Sequence, residues 1–229
     1  MNVKAILFDA YGTLLDVGSV GALAEQLFPG KGSAISRLWR EKQLQYSWIR
    51  TLSGRYADFW QVTGEALDYT AASLGLTMSQ EHRAALLEQY LRLSTFPEAA
   101  PALQALAGRG ARLAVLSNGT PAMLEGAFTH AGLRPYFTAL LSVDVARAYK
   151  TAPAAYQLAV DHFGVPAAEL LLVSSNGWDV AGGAAFGFRT FWVNRGGAPV
   201  EQLGVTPDAI ESSLFELADW LHADAQTPI

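Results

Sequence analysis

Asp9 is the first residue along this sequence whose type and position suit a catalytic role. It directly follows the apolar run at residues 3–8 and precedes Tyr11, Gly12 and Thr13, a pattern typical of a strand that ends in a tight turn. A carboxylate at such a point can act as a nucleophile, and the backbone N–H groups of the turn can bind an anion. The same segment also fits an ordinary capping or loop aspartate, so Asp9 alone leaves both interpretations open.

Short polar side chains follow three further apolar runs. They are Ser117 and Asn118 after residues 112–116, Lys150 after residues 139–143, and Ser174, Ser175 and Asn176 after residues 169–173. The carboxyl ends of parallel strands meet at one edge of a sheet, where ligands of such folds bind. A lysine near Asp9 keeps that carboxylate ionised, because an opposite charge favours the charged form. Taken singly, these residues are more often turns or a surface lysine, but together they indicate a shared polar site.

The apolar runs also predict the fold. They alternate with helical patterns, which we place at roughly residues 98–108, 121–131, 151–163 and 178–186. A fifth apolar run covers residues 190–193. Runs that are apolar on both faces and alternate with helices are typical of a parallel sheet covered on both sides. We therefore predict an α/β protein with a Rossmann-like parallel sheet.

Residues 16–95 differ from the rest, because they show helical patterns and no clear strand. Apolar residues such as Ile35 and Trp39 recur there at roughly helical spacing. The segment falls between the first strand and the remainder of the α/β pattern. We expect it to be a helical cap domain, inserted into a core domain formed by residues 1–15 and 96–229.

Composition narrows the range of partners. The chain has 229 residues, of which 51% are hydrophobic and 16% charged, against about 25% charged in a usual soluble domain, so much of it is expected to be buried. The net charge is −5 and there is no basic stripe, which argues against a nucleic-acid partner. No apolar stretch approaches the roughly 18 residues that cross a bilayer. We expect a cytoplasmic protein with no membrane partner.

Cysteine and histidine usage excludes several kinds of site. The sequence has no cysteine, so disulfides, thiolate nucleophiles and cysteine-ligated metals are excluded. Its four histidines are scattered, without the spacing of paired metal ligands: His82, His130, His162 and His222. The polar residues at the strand ends are therefore the main indication of function.

These segments together resemble the haloacid dehalogenase superfamily, and within it the type II L-2-haloacid dehalogenases, which act on (S)-2-haloacids. The matching core segments are residues 9–13, Ser117-Asn118, Lys150 with Tyr156, and residues 174–179. The insert adds residues 38–48, which include Arg40, and residues 56–60. The resemblance spans nearly the whole chain. It implies hydrolysis of small 2-haloalkanoic acids to 2-hydroxy acids with inversion, through an ester on Asp9.

The resemblance also separates the dehalogenases from the phosphatases of the same superfamily. The phosphatases carry a second aspartate two residues after the nucleophile, where this chain has Tyr11. They also carry acidic magnesium ligands after the fourth strand, where Ser174, Ser175 and Asn176 precede the lone acid Asp179. We therefore predict no metal ion and no cofactor. A magnesium-dependent small-molecule phosphatase and a non-catalytic binding protein on the same fold are the alternatives.

The resemblance assigns roles to the catalytic residues. Asp9 attacks C2 of the substrate and expels halide, and water then hydrolyses the aspartyl ester. Lys150 pairs with Asp9, and Tyr156 fixes the geometry of that pair from behind. The supporting roles are orientation of the carboxylate by Thr13 and Ser174, and positioning or activation of the water by Asp179 and Asn176.

The substrate contacts follow from the same resemblance. Ser117 and the backbone N–H groups of Ala10 and Tyr11 hold the substrate carboxylate. Arg40 stabilises the departing halide, which gains negative charge in the transition state, and Asn118 adds a donor. The apolar wall of the pocket is formed by Tyr11, Leu44, Phe59 and Trp178.

Two residues depart from the family pattern. Glu41 follows Arg40 where an uncharged glutamine is expected, and a carboxylate there could weaken the halide site or pair with Arg40. Thr151 follows Lys150 where proline is common, which could loosen the loop that presents the lysine. Neither change removes a catalytic group, so we expect effects on substrate range and rate rather than on the reaction.

The resemblance also bears on partners. The expected partners are a small 2-haloacid, water and halide. Dimers are usual in this family, so a homodimer is a further expectation, with the aromatic-rich cap as its candidate surface.

Overall fold

The computed structural model describes residues 3–226. Its strands are β1 (Ala5–Phe8), β2 (Leu113–Ser117), β3 (Ala139–Ser142), β4 (Leu170–Ser174), β5 (Arg189–Val193) and β6 (Ala209–Glu211). They form one parallel sheet in the order β3-β2-β1-β4-β5-β6. The chain winds outward in one direction from β1 to β3 and in the other from β4 to β6. The strand order therefore reverses between β1 and β4, the position where such sheets bind ligands.

Helices account for most of the remaining described residues. They are α1 (Val20–Leu27), α2 (Gly32–Leu52), α3 (Phe59–Ser73), α4 (Gln80–Gln89), α5 (Ala99–Gly108), α6 (Pro121–His130), α7 (Pro153–Phe163), α8 (Gly177–Phe186) and α9 (Leu217–Gln226). The first four lie between β1 and β2, and the others flank the sheet. None of the helices in the described part of the chain is long and apolar enough to span a bilayer.

The middle of the sheet is formed by strands that are apolar on both faces. All four side chains of β1 are buried, as are those of β2, β4 and β5. Leu7 of β1 lies opposite Ala114 of β2 and Leu172 of β4. Such strands are stable only when helices cover both faces of the sheet. Their packing brings the residues that follow β1, β2 and β4 to one edge, side by side.

The predicted α/β fold is confirmed, with two differences of detail. The prediction has five strands, and the structure adds β6, a three-residue edge strand in which Ile210 is 43% exposed. Such a strand has no apolar run for the sequence to show. The helix predicted from residue 151 begins at Pro153, because Ala152 is extended and proline suits the first helical position.

Two adjacent crossings join the helices α1–α4 to the sheet. The N–H of Asp16 donates to the carbonyl of Ser94 at 2.7 Å, and the N–H of Phe96 donates to the carbonyl of Leu14 at 3.1 Å. Both ends of the insert therefore lie side by side. We propose on this basis that residues 16–95 form a cap domain on a core made by the rest of the chain.

Trp39 organises the interior of these four helices. Its ring is fully buried and lies 4.8 Å from the ring of Tyr90, centroid to centroid. Its indole N–H donates to the carbonyl of Thr63 at 2.8 Å, which ties α2 to α3. The side chain therefore belongs to the packing of the insert, and it keeps α2 in a fixed position over the sheet edge.

Candidate active site

Asp9 directly follows β1, at the edge where the strand order reverses. Its N–H donates to the carbonyl of Val173 in β4 at 3.0 Å, which ties the residue to the end of a second strand. Only 5% of its surface is exposed. The chain then turns through Gly12, whose φ of +94° is favourable for glycine and strained for other residues. We call residues 9–13 the nucleophile turn.

Three side chains donate hydrogen bonds to the Asp9 carboxylate. Lys150 Nζ lies 3.2 Å from Oδ1, whereas Thr13 Oγ1 and Asn176 Nδ2 lie 3.0 Å and 2.8 Å from Oδ2. The donors come from three separate loops, so the orientation of the carboxylate is fixed by the fold. Within the described residues, Oδ1 accepts one hydrogen bond and Oδ2 accepts two. Oδ1 is therefore the oxygen with the more accessible lone pairs.

Lys150 is fully buried and pairs with two carboxylates. Its Nζ lies 2.8 Å from Oδ2 of Asp179 in addition to its contact with Asp9. Burial by itself lowers the pKa of Lys150, but the charges of Asp179 and Asp9 outweigh this effect, so the pKa lies above its ordinary value. The backbone N–H of Lys150 donates to Oδ1 of Asn118 at 3.0 Å. Lys150 is thus a fixed positive charge beside Asp9.

Asp179 lies in the first turn of α8 and is fully buried. Its Oδ1 accepts a hydrogen bond from the Tyr156 hydroxyl at 2.9 Å, and its Oδ2 accepts one from Lys150. Burial raises the pKa of Asp179, and the charge of Lys150 opposes that rise. Burial also raises the pKa of Tyr156, and the neighbouring carboxylate adds to the rise. Tyr156 is therefore a neutral donor that supports Asp179 from behind.

Arg40 reaches the same edge from α2. Its Nη2 donates to the carbonyl of Tyr11 at 3.2 Å, and its Nη1 donates to Oε1 of Gln43 at 2.8 Å. Gln43 is fully buried and donates in turn to the Thr63 hydroxyl at 2.7 Å. Glu41 is exposed, and the guanidinium is held by neutral groups. Helix α2 of the insert thus places the positive charge of Arg40 beside the nucleophile turn.

Ser174 corrects one expectation about how Asp9 is oriented. The Ser174 hydroxyl accepts a hydrogen bond from the N–H of Asn176 at 3.1 Å. Within the described structure it is Asn176, with Thr13, that donates to Oδ2 of Asp9. Because the Ser174 side chain turns back to its own loop, it holds the residue that orients the nucleophile rather than the nucleophile itself.

Two backbone donors of the nucleophile turn have no acceptor. The N–H groups of Ala10 and Tyr11 donate to no group within the residues that the structure describes. Ser117 is fully buried at the adjacent end of β2, where its hydroxyl accepts from the N–H of Gly119 at 3.2 Å. The edge therefore offers two N–H groups without an acceptor and, at the end of the neighbouring strand, a serine hydroxyl, which are groups suited to binding an anion.

The structure places the four residues predicted to form an apolar wall in different ways. The rings of Phe59 and Tyr11 are buried and lie 5.9 Å apart. Trp178 is half-buried and lines a cavity of about 310 Å³ that also borders Lys150. Leu44 is half-buried on α2, one turn beyond the guanidinium. Of these four residues, Tyr11 and Phe59 are thus in direct contact with each other.

A magnesium ion does not fit between the carboxylates of this site. Lys150 Nζ lies within 3.2 Å of Asp9 and 2.8 Å of Asp179, so the ammonium fills the space between them. Among residues 3–226 there is no group of three or more acidic or histidine side chains that could hold a metal. Magnesium requires several oxygen ligands in near-octahedral order, which this pair does not offer.

Comparison with known proteins places this arrangement in a family. The sequence signature of the haloacid dehalogenase-like hydrolases matches residues 3–187. The chain belongs to the haloacid dehalogenase-like hydrolase family. A relative within that family is the (S)-2-haloacid dehalogenase of Pseudomonas sp. (strain YL), which is 46% identical over 212 residues, or 93% of this chain and 91% of that protein.

Solved structures of haloacid dehalogenase-like hydrolases match the fold over nearly the whole chain. The crystal structure of one L-2-haloacid dehalogenase superimposes with a TM-score of 0.95 at 50% identity, over 97% of this chain and 100% of that one. The L-2-haloacid dehalogenase from Xanthobacter autotrophicus, solved with chloropropionic acid covalently bound, gives a TM-score of 0.90 at 42% identity, over 96% and 98% of the two chains.

Two residues that hold the site are missed by sequence reasoning, Gln43 and Arg195. Arg195 lies just beyond β5, and its Nη2 donates to the carbonyl of Thr13 at 2.9 Å. Like the other strand-end residues, Arg195 is a polar residue that follows an apolar run. The prediction from sequence does not consider the residues that follow this fifth run. Gln43 is harder to find, because a polar side chain on the buried face of a helix has no distinctive spacing.

Proposed function

We propose that the protein hydrolyses small 2-haloalkanoic acids to 2-hydroxy acids with inversion at C2, as an (S)-2-haloacid dehalogenase. The observation that carries this proposal is the buried Asp9 carboxylate, held by Lys150, Thr13 and Asn176, with the guanidinium of Arg40 on the same turn. Displacement at carbon needs a fixed nucleophile and a stabilised leaving group. Relatives that match nearly the whole chain bear this activity in their names.

In the first step, Oδ1 of Asp9 attacks C2 while the halide leaves from the opposite side with the electron pair of the carbon–halogen bond. The substrate carboxylate is bound by the free N–H groups of Ala10 and Tyr11 and by the Ser117 hydroxyl. Binding the carboxylate fixes C2 in line with Oδ1, which converts a bimolecular encounter into an oriented displacement. The product of this step is an ester between Asp9 and C2.

Arg40 and Asn118 receive the departing halide. Negative charge grows on the halogen in the transition state, so a fixed guanidinium stabilises that state more than it stabilises the bound substrate. An apolar wall excludes water and strengthens this interaction. The members of the wall are Tyr11, Leu44, Phe59 and Trp178.

In the second step, water attacks the acyl carbon of the Asp9 ester. The bond between the acyl carbon and the ester oxygen breaks, the 2-hydroxy acid leaves, and one proton is released per turnover. Asp179 and Asn176 position or activate this water. Because both oxygens of Asp179 already accept hydrogen bonds, we propose that its first effect is to hold Lys150 beside Asp9, with Tyr156 as support.

A magnesium-dependent phosphatase on the same fold is the alternative. It requires a general acid two residues after the nucleophile, where the chain has Tyr11, whose pKa is raised by burial. It also requires acidic magnesium ligands after β4, where Ser174, Ser175 and Asn176 precede Asp179, which is already paired with Lys150. The two functions predict different products: chelator-sensitive phosphate release for the phosphatase, and halide release unaffected by EDTA for the dehalogenase.

The test is halide and proton release from each enantiomer of 2-chloropropionate in the presence of EDTA. The (S) enantiomer is expected to yield (R)-lactate, chloride and one proton. A single turnover in H₂¹⁸O with enzyme in excess is expected to place the label in Asp9, because the lactate hydroxyl oxygen comes from the aspartate. Label in the first lactate formed refutes the ester intermediate, and absence of halide release from every 2-haloacid refutes the function.

Two variants complete this test. Asp9→Asn is expected to abolish halide release, since the amide is a poor nucleophile. Asp161→Asn is the matched control, because Asp161 is an exposed aspartate on α7 that bonds only its neighbour Gln157 in the described structure. It is expected to keep the activity of the unchanged protein.

We propose further that two copies of the chain pair through the cap and that the protein works in the cytoplasm. Exposed apolar side chains on α2 and α3 support the pairing: Ile49, Leu52 and Tyr69. Sedimentation equilibrium tests it, and Leu52→Lys is expected to favour the monomer. Fractionation of the cells that make the protein tests the compartment.

A further inference from the structure

Arg195 lies in the loop that follows β5 and binds the nucleophile turn. Its Nη1 donates to the carbonyl of Gly12 at 3.2 Å and to the Ser175 hydroxyl at 2.7 Å, and its Nη2 donates to the carbonyl of Thr13 at 2.9 Å. One guanidinium thus joins the ends of β1, β4 and β5. None of these contacts involves a group that the proposed chemistry uses directly.

The contacts converge on the hydroxyl of Thr13. That hydroxyl accepts a hydrogen bond from the N–H of Ser175 at 2.9 Å and donates to Oδ2 of Asp9 at 3.0 Å. A hydroxyl has one proton, so the bond from Ser175 leaves that proton free for Asp9. Arg195 holds Ser175 by its side chain and Thr13 by its backbone. It therefore fixes both residues that aim the hydroxyl at the carboxylate.

Arg195 is itself anchored at the point where the insert rejoins the sheet. Its Nε lies 2.7 Å from Oε1 of Glu98, and its guanidinium stacks 3.7 Å from the centre of the Phe96 ring. The side chains of Arg195 and Glu98 are 22% and 11% exposed, so water screens this pair only in part. Because Glu98 binds Nε, the Nη1 and Nη2 atoms of Arg195 are directed at the nucleophile turn and Ser175.

We propose that Arg195 is a positioning residue for Asp9, acting through Thr13 and Ser175; this inference rests on the proposed function. The planar fork of arginine meets carbonyl, hydroxyl, carboxylate and aromatic groups at once, whereas the ammonium of lysine is a single point charge. Loss of the Arg195 guanidinium loosens the nucleophile turn at Thr13 and lets the Asp9 carboxylate rotate away from the line of attack. Ser117 at the end of β2 and Arg40 on α2 are held by other elements and stay in place.

The kinetic test compares Arg195→Ala and Arg195→Lys with the unchanged protein on (S)-2-chloropropionate. In Arg195→Ala we expect kcat to fall by about 10- to 100-fold, since misplacement by about 1 Å is enough for such a loss, while KM changes by less than about threefold. Arg195→Lys is expected to recover part of kcat. Millimolar guanidinium is expected to raise kcat of Arg195→Ala, and equal concentrations of ammonium are not.

Arg50→Ala is the matched control. Arg50 also forms an ion pair with a glutamate, Glu65, at 2.6 Å and with a side chain 26% exposed, but it lies on the surface of the insert away from the nucleophile turn. Its loss is expected to leave kcat unchanged. A kcat in Arg195→Ala equal to that of Arg50→Ala, or a loss of kcat that guanidinium does not reverse, overturns the proposal.

Hydrogen exchange separates this proposal from the proposed function. In Arg195→Ala we expect the amides of residues 9–15 to exchange about tenfold faster, while those of β2 keep their protection. This result supports the positioning role even if the unchanged protein releases no halide from any 2-haloacid, an outcome that refutes the dehalogenase alone. Unchanged exchange in residues 9–15 refutes the positioning role whatever the activity.

Discussion

The ammonium group of Lys150 lies 3.2 Å from Oδ1 of Asp9, and neither side chain is open to solvent beyond 7%. A buried carboxylate without a partner is costly, and a cation at hydrogen-bond distance removes most of that cost. Lys150 is shared with Asp179, so Asp9, Lys150 and Asp179 form a charge triad of two acidic groups and one basic group. Removal of the single cation leaves two buried carboxylates facing one another.

Lys150→Met is expected to abolish most activity and to alter its pH dependence. Like charges a few Å apart cannot both ionise in a buried site, so the Asp9–Asp179 pair takes up a proton. We expect kcat/KM at pH 7 to fall by at least about 100-fold, as for other losses of a fixed electrostatic group. The residual activity is expected to increase with pH as that proton is lost. The measurement is kcat/KM between pH 6 and 9.

The same variant is expected to lose about 3 kcal/mol of unfolding free energy in urea, because an unpaired buried charge remains. The double variant Lys150→Met/Asp179→Asn removes one of the two carboxylates and is expected to regain part of that stability. Lys31→Met, at an exposed position on the insert, serves as the control. Equal stability of the single and double variants contradicts the account of the charge triad.

Strand-end residues could be predicted from the sequence, because parallel topology leaves little freedom in where they go. Asp9 and Asn176 follow runs that are apolar on both faces, and such runs pair with each other in the middle of a sheet. Lys150 follows β3 and is brought to the same edge. The presence of helices α1–α4 between β1 and β2 could also be predicted, since this segment interrupts a regular alternation of strands and helices.

Individual hydrogen bonds could not be predicted. Ser174 and Asn176 are two residues apart in one loop, and only the path of that loop decides which side chain meets Asp9. The role of Arg195 depends on carbonyl groups, which every residue possesses and no sequence pattern marks. The edge strand β6 is three residues long and half exposed, so it carries no apolar signal.

Arg40→Met is expected to impair displacement of chloride more than displacement of bromide. The guanidinium stabilises charge on the leaving group, and a poorer leaving group depends more on that stabilisation. We expect kcat/KM for (S)-2-chloropropionate to fall by about 100- to 1000-fold, and that for the bromo compound to fall less. Arg37→Met, at an exposed position on the same helix, is the control. Equal losses for both halogens contradict a halide-side role for Arg40.

Stability is expected to fall steeply above about pH 10, where tyrosine and lysine lose protons in the unfolded chain. Burial raises the pKa of Tyr11, Tyr90, Tyr149 and Tyr156, and carboxylates raise that of Lys150 against the effect of burial. In each case the folded protein holds its proton more tightly than the unfolded chain does. The stabilisation is complete below the unfolded pKa and is lost as pH rises through the folded pKa.

Each of these groups contributes a slope of about −1.4 kcal/mol per pH unit between its two pKa values. The measurement is urea unfolding at pH values from 8 to 11.5, with absorbance at 295 nm to follow tyrosine ionisation. Tyr149→Phe removes one group outside the catalytic site and is expected to reduce the slope by about 1.4 kcal/mol per pH unit. A slope that this substitution leaves unchanged contradicts the assignment.

Tyr11→Phe is expected to stabilise the free protein. The Tyr11 hydroxyl is buried and has no hydrogen-bond partner within the described residues. An unpartnered buried hydroxyl costs about 1–3 kcal/mol, so we expect its removal to raise the unfolding free energy by about 1 kcal/mol. Tyr149→Phe is the opposite case, because its hydroxyl donates to the carbonyl of Ala57 at 2.6 Å and its loss is expected to destabilise. Urea unfolding of both variants at pH 7 measures the contrast.

Activity of the same Tyr11→Phe variant tests why a costly hydroxyl is kept where phenylalanine would form an equally apolar wall. The Tyr11 hydroxyl is unpaired in the described structure, so we expect its partner to be the bound ligand, with stability lost in favour of function. We expect kcat/KM for (S)-2-chloropropionate to fall by about three- to tenfold, which is the loss of roughly one neutral hydrogen bond. A gain in stability with unchanged kcat/KM would instead assign the Tyr11 ring to the wall and leave its hydroxyl without a catalytic contact.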